Sequence, residues 1–140
     1  MAADEGITKG QTNVQIGQSG DFLTAAVLAG FGVDCDVVNK VGFDILARHA
    51  DKWIRVEVKS TRARQRDRRC YTWKTCQGNT KKRVMRADRC DIVALAALDV
   101  RKVVFRPISE ITCMTTHIFE RALIESDERR TWEESCRRME

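Results

Sequence analysis

Asp44, Glu57 and Lys59 are side chains that, brought together, would hold a hard cation beside an ammonium group. Strand geometry can bring them together, because side chains on a β-strand alternate faces with a period of two. Residues 53–59 alternate in that way: Ile54, Val56 and Val58 share one face, and Arg55, Glu57 and Lys59 share the other. Residues 41–47 read as a preceding strand, and His49-Ala50-Asp51-Lys52 as the tight turn between the two. A two-residue loop at Ala50-Asp51 sets Asp44 opposite Glu57 across the ladder, with Cβ atoms roughly 4.5–5.5 Å apart. Like charges so placed repel unless something compensates them. A divalent cation is the natural compensator, since hard cations favour carboxylate oxygen.

The elements around this pair follow from periodicity and turn chemistry. Gly17-Gln18-Ser19-Gly20 leads into a helix over 21–29, with Phe22, Ala25, Ala26 and Ala29 at helical spacing, Ser19 as N-cap, and Gly30 and Gly32 closing it. Asp21 then falls in the first turn, where it either complements the helix dipole or joins the other carboxylates. Residues 33–38 form a short strand with a turn at Asn39-Lys40, so the hairpin completes three successive strands. A long polar connection over 60–90 is broken by the alternating stretch 70–76, a strand or ribbon, with Gly78-Asn79 at a loop tip. Residues 91–98 read as a strand buried on both faces. Asp99 turns the chain into a last strand over 102–106, which Pro107 ends. The tail reads as helical, with Ile111, Met114, Ile118 and Ala122 on one stripe and Trp132, Cys136 and Met139 on another. Thr131 and Glu134 suggest a capping box there. Tyr71 and Trp73 are expected to pack on the sheet, His117 to be structural, and Asp91 to cap or to pair with Arg89.

The 140 residues suit one domain, 1–140, with a core over about 16–108 and a helical tail over 109–140. A composition 43% hydrophobic and 32% charged is that of a soluble protein. With no membrane-length apolar run and no signal peptide, a cytoplasmic location is expected. Six cysteines without a CxxC pair, in a chain without a secretion signal, point to reduced thiols. Cys70, Cys76 and Cys90 with His49 are a minor alternative ligand set. The charge is uneven. Residues 59–89 hold twelve Lys and Arg against Asp67 and Asp88, a net +10 in a chain whose total is +5, which leaves −5 for the rest. Such a block beside clustered carboxylates is the footprint of a polyphosphate partner. Arg62, Arg64, Arg66, Lys81, Lys82 and Arg83 are the candidate nucleic-acid contacts.

The layout of helix, three strands, polar connection and buried strand resembles the PD-(D/E)XK nuclease superfamily. Within it, the chain is similar to the archaeal Holliday-junction resolvases and the small group I intron homing endonucleases. The resemblance rests on residues 17–21, Phe43-Asp44-Ile45, Val56-Glu57-Val58-Lys59-Ser60 and Cys90-Asp91-Ile92-Val93-Ala94-Leu95. Phe43 stands where the family has proline, and Asp21 where the family helix more often carries Glu. The resemblance implies an α/β fold with a restriction-endonuclease-like core, αβββαβ, a mixed central sheet flanked by helices. It implies Mg²⁺, or Mn²⁺ in its place, held by Asp44, Glu57 and the backbone carbonyl of Val58. Asp21 would act from the outer shell through water, and Lys59 would hold or deprotonate the attacking water. Phosphodiester hydrolysis needs such a nucleophile and charge stabilisation on the phosphate oxygens.

The expected activity is a Mg²⁺-dependent DNA endonuclease, of the homing, junction-resolving or restriction kind, acting as a homodimer or higher homo-oligomer. The rival readings are a nucleic-acid-binding module without turnover and an RNA-directed nuclease.

Overall fold

A computed structural model describes residues 12–40, 42–77 and 83–139. Its centre is a five-stranded mixed sheet built from β1 (Cys35–Lys40), β2 (Phe43–His49), β3 (Lys52–Thr61), β7 (Ile92–Ala97) and β8 (Lys102–Pro107), in the order β1-β2-β3-β7-β8. β3 and β7 run parallel and the other pairs antiparallel. Between β3 and β7 lie three short strands, β4 (Cys70–Lys74), β5 (Cys76–Gln77) and β6 (Arg83–Val84), where the αβββαβ order has a helix.

The first helix, α1 (Asn13–Gly30), starts well before the expected position. Its N-cap is Thr12, not Ser19: Thr12 Oγ1 accepts the Gln15 N–H and Gln15 Oε1 accepts the Thr12 N–H. Asp21 is therefore in the middle of the helix, too far from its N-terminus for a dipole role. Gly20 sits inside the helix for a packing reason, since a Cβ there would collide with Ser60 Oγ on β3. The expected turn at Asn39-Lys40 is instead strand, with a register shift between Val37 and Lys40 and Asn39 at φ 49°. Lys40 pairs with Phe43, so the chain reverses between them, with Gly42 at φ 91°; residue 41 lies outside the described residues.

The sheet is buried on both faces. Ile92, Ala94 and Ala96 of β7 join Ile45, Ile54, Val56 and Val58 beneath Leu28 of α1 and Trp132 of the last helix, α3 (Glu128–Arg137). Val93, Leu95 and Ala97 face the other way, into a second core with Tyr71, Trp73, Cys90 and Ile118. Tyr71 and Trp73 are each 1% exposed and stack with ring centroids 6.1 Å apart, so they pack as expected. The Tyr71 hydroxyl, bonded to Asp99, has its pKa raised by burial first and by that carboxylate second.

The tail departs from the helical reading over 111–119. A 3-10 turn at Ile108–Glu110 is followed by β9 (Thr115–Phe119), which pairs antiparallel with β4, and only then by the short helix α2 (Glu120–Glu125). Thr115, Thr116, Ile118 and Phe119 are strand-favouring residues, and the waiting edge of β4 outweighs the helical stripe. His117 is thus on a strand, its Nδ1 2.9 Å from Thr72 Oγ1. The Thr131–Glu134 capping box does not form. Asp127 caps α3 by accepting the Arg130 N–H, while Thr131 Oγ1 accepts the Phe105 N–H of β8. The described residues include all six cysteines, and no disulfide joins any of them. Among the described residues, no helix is long and apolar enough to cross a membrane.

Candidate active site

β2 and β3 meet in the register that a two-residue loop requires, with His49 opposite Lys52 and Ile45 opposite Val56. Ala50 makes the turn at φ 55°. One step beyond the Ile45–Val56 pair stand Asp44 and Glu57. The Asp44 carboxylate turns to the backbone and accepts the Val58 N–H at 2.9 Å. It also lies within hydrogen-bonding reach of the Glu57 carboxyl. Asp21 approaches from α1, 8% exposed, close enough to feel the Asp44 charge. The structure therefore brings together Asp21, Asp44, Glu57 and the Val58 backbone.

The electrostatics are those of negative charges crowded in poor solvent. Burial, then the neighbouring Asp44 charge, push the Asp21 carboxyl up to about 7. Burial again comes first in raising Glu57, with Asp44 adding to it and Lys59 opposing. A raised carboxyl pKa of this kind means that the ionised form lacks a compensating partner. Lys59 is a partial one: its Nζ lies 3.9 Å from Glu57 Oε1 and donates to the Cys76 carbonyl at 3.3 Å. That second bond ties the β5–β6 ribbon to the site.

Cation chemistry can be judged against this donor set. Among the described residues no three His, Cys, Asp or Glu side chains form a group able to hold a metal ion by themselves. This removes Cys70, Cys76, Cys90 and His49 as a shared ligand set. It leaves Asp44 and Glu57 as a pair, with Asp21 behind them. Mg²⁺ is commonly bound through one or two carboxylates and keeps several of its waters, so the pair fits Mg²⁺ better than it fits an ion that needs a protein cage.

The basic residues divide. Arg62, Arg64 and Arg66 are exposed in the loop that continues β3 past Lys59, and Arg64 Nε lies 3.6 Å from Glu120. Arg83 is exposed on β6 of the ribbon that Lys59 touches. Lys81 and Lys82, like Gly78-Asn79, lie outside the described residues.

One feature of the site is not visible in the sequence. Asp91 pairs with Arg55, not with Arg89: Arg55 Nη2 is 2.9 Å from Asp91 Oδ1, and the Arg55 N–H and Nε both donate to Oδ2. Arg55 also donates to the carbonyls of Ala87 and Asp88. Burial works to raise the Asp91 carboxyl, but the bonds from Arg55 outweigh it and hold it below the usual carboxylate range. The ion pair thereby fixes the 87–91 loop to the strand that carries Glu57. Cys90 in that loop is fully buried, and burial, then the charge of Glu57, push its thiol up to about 12.

No protein-family model matches the chain, and no curated protein matches it in sequence. Among solved structures, the chain is similar to a bacterial homing endonuclease, I-Ssp6803I, with a TM-score of 0.62 over 84% of this chain and 79% of that one. The two are 13% identical. The likeness is one of fold.

Proposed function

We propose that this protein is a Mg²⁺-dependent DNA endonuclease whose active site is Asp44, Glu57 and Lys59, with Asp21 in support. The observation that carries the proposal is the pairing of Asp44 and Glu57 on adjacent strands, with the Glu57 carboxyl pKa raised and a lysine on the same face. Structural ion pairs compensate their charges, whereas this cluster sets three carboxyl groups against the one ammonium of Lys59. The homing-endonuclease fold of the structural neighbour supports DNA as the substrate.

In this reading Asp44, Glu57 and the Val58 carbonyl would hold Mg²⁺, with Asp21 supporting them from the outer shell. The cation supplies a nucleophilic water near neutral pH and charge stabilisation on the phosphate oxygens. Lys59, anchored between Glu57 and the Cys76 carbonyl, would present its ammonium protons to the attacking water or to the phosphate. Arg62, Arg64, Arg66 and Arg83, with Lys81 and Lys82, hold the phosphate backbone on either side. The deciding experiment is plasmid nicking in Mg²⁺ and in EDTA, with Asp44→Ala as control. Cleavage in Mg²⁺ that EDTA and the substitution both abolish supports the proposal. DNA binding without cleavage under any divalent cation refutes it in favour of a binding module.

A second copy of the chain belongs to this reading, because cutting both strands of a duplex calls for two sites related by symmetry. Phe119 and Ile124, 73% and 49% exposed, form an apolar patch flanked by Arg69, Arg121, Glu120 and Glu125. A patch bearing both charge signs can meet its own copy across a two-fold axis.

A further inference from the structure

Trp53 is out of place for its residue type. Tryptophan is among the most buried side chains on average, and the other two obey the rule, with Trp73 at 1% and Trp132 at 2% exposure. Trp53 is 53% exposed. It pairs with Arg48 across the β2–β3 hairpin, and the Arg48 guanidinium lies over its ring, 5.5 Å from the centroid. The register fixes the face on which both stand. Ile54 and Val56 point into the core beneath α1, so Trp53, Arg55 and Glu57 share the opposite face, as Arg48 and Asp44 do on β2. Four residue steps along the strand take Trp53 to Glu57, about 13 Å at the usual rise. That is close to four base steps along a duplex.

From this placement we infer that Trp53 and Arg48 form a stacking platform for an unpaired nucleobase of DNA lying across the Asp44–Glu57 site. An aromatic ring binds the flat face of a base, and every base offers one. Inside an intact duplex those faces are covered by their neighbours, so the platform engages only a base that has left the stack. Arg48 fits the same occupant: its guanidinium lies over the ring, and its positive charge suits the phosphate of a nucleotide bound there. A solvated strand surface needs none of this, since a polar residue at position 53 would serve it equally well. The inference rests on the nuclease reading and narrows its substrate to DNA with unpaired nucleotides near the cut, whether single-stranded, branched or opened by binding.

Trp53 supplies its own reporter. With Trp73 and Trp132 buried, Trp53 is the tryptophan that acrylamide quenches most readily. The protein would be titrated in EDTA with three probes, a single-stranded oligonucleotide, a perfect duplex, and the same duplex carrying a central mismatched bubble. Anisotropy of labelled DNA measures binding, and acrylamide quenching measures Trp53 exposure in each complex. The expected result is protection of Trp53 by the single strand and the bubble, and much less by the perfect duplex. Trp53→Ala should weaken binding of the bubble about tenfold, while Trp53→Phe, which keeps a ring, should restore most of it. Trp53 as accessible in the bubble complex as in free protein, or equal affinity of Trp53→Ala and wild type for the bubble, overturns the platform. Absence of binding to all three probes overturns the nuclease reading itself, and the platform with it.

Discussion

Asp44 is held by the backbone of the strand that carries its partner: its carboxylate accepts the Val58 N–H at 2.9 Å while Glu57, the preceding residue, presents its own carboxyl to it. A carboxylate fixed by a main-chain bond cannot swing away from a like charge. The repulsion is therefore built into the fold, and its relief on neutralisation can be measured.

Asp44→Ala and Glu57→Gln should each abolish Mg²⁺-dependent cleavage. In the metal-free protein both should leave the fold intact. Glu57→Gln in particular should raise the melting temperature by a few degrees, since about 1 kcal/mol moves a domain of this size by roughly 3–6 °C. Calorimetry in EDTA and a cleavage assay in Mg²⁺ check the two halves. Full activity in both variants would remove the pair from the chemistry.

Metal-free stability should also depend on pH in an unusual direction. Asp21 titrates at about 7 in the folded protein, against an ordinary value of 3.8, and Glu57 is shifted the same way. Between those limits the folded chain keeps a proton that the unfolded chain has released. Stability therefore falls as pH rises from about 4, and the loss is complete only above the folded-state values, about 7 for Asp21 and about 8 for Glu57. Asp21→Asn should flatten this slope in thermal melts between pH 5 and pH 8, and saturating Mg²⁺ should oppose it at the upper end. A wild-type slope identical to that of Asp21→Asn would contradict the raised pKa.

Lys59 is anchored on two sides, and its predicted part is in the chemical step. Lys59→Ala should lower the turnover rate about a hundredfold or more, the size expected for loss of one charge-stabilising donor, and leave DNA affinity within a few fold. Lys59→Arg should not restore the rate, because a planar guanidinium cannot take the place of a compact ammonium between Glu57 and the Cys76 carbonyl. Single-turnover kinetics beside anisotropy separates rate from affinity. Equal losses in both would make Lys59 a phosphate-binding residue only.

What could be read from the sequence was local. The period of two in β3 and the short Ala50-Asp51 loop fixed which residues oppose one another, and with them the neighbourhood of Asp44 and Glu57. The parts that escaped depend on contacts distant in sequence. Gly17 and Gly20 look like helix breakers, yet Gly20 is inside α1 because Ser60 leaves no room for a side chain. Residues 115–119 fit a helical stripe but form a strand because β4, more than forty residues earlier, offers an open edge. Arg55 and Asp91 are 36 positions apart, and nothing near either one announces the ion pair.

The exposed pair Phe119 and Ile124 should mark the self-association surface. Phe119→Asp combined with Ile124→Asp should shift the protein toward monomer in sedimentation velocity. Both side chains lie outside the two cores, so the melting temperature of the monomer should be little changed. In a plasmid assay the variant should still nick one strand but lose coordinated double-strand cutting. An unchanged sedimentation coefficient with unchanged cutting would place the interface elsewhere.

The basic segment should reveal itself in salt dependence. Arg62 and Arg66 are exposed in the loop that continues β3, and Arg83 on the ribbon tethered to Lys59, so the cations come from two chain segments that are each joined to the site strand. Removing one cation that touches a phosphate should reduce the slope of log affinity against log salt by about 0.9 on duplex DNA. Combined replacement of Arg62, Arg66 and Arg83 by Ala should thus flatten the slope progressively and weaken all sequences alike, since backbone contacts position without specifying. Arg64, within ion-pair distance of Glu120, should contribute less than its neighbours because part of its charge is already answered. A triple variant with the wild-type slope would mean that these charges only keep the surface solvated, and would move the DNA path off the loop and the ribbon.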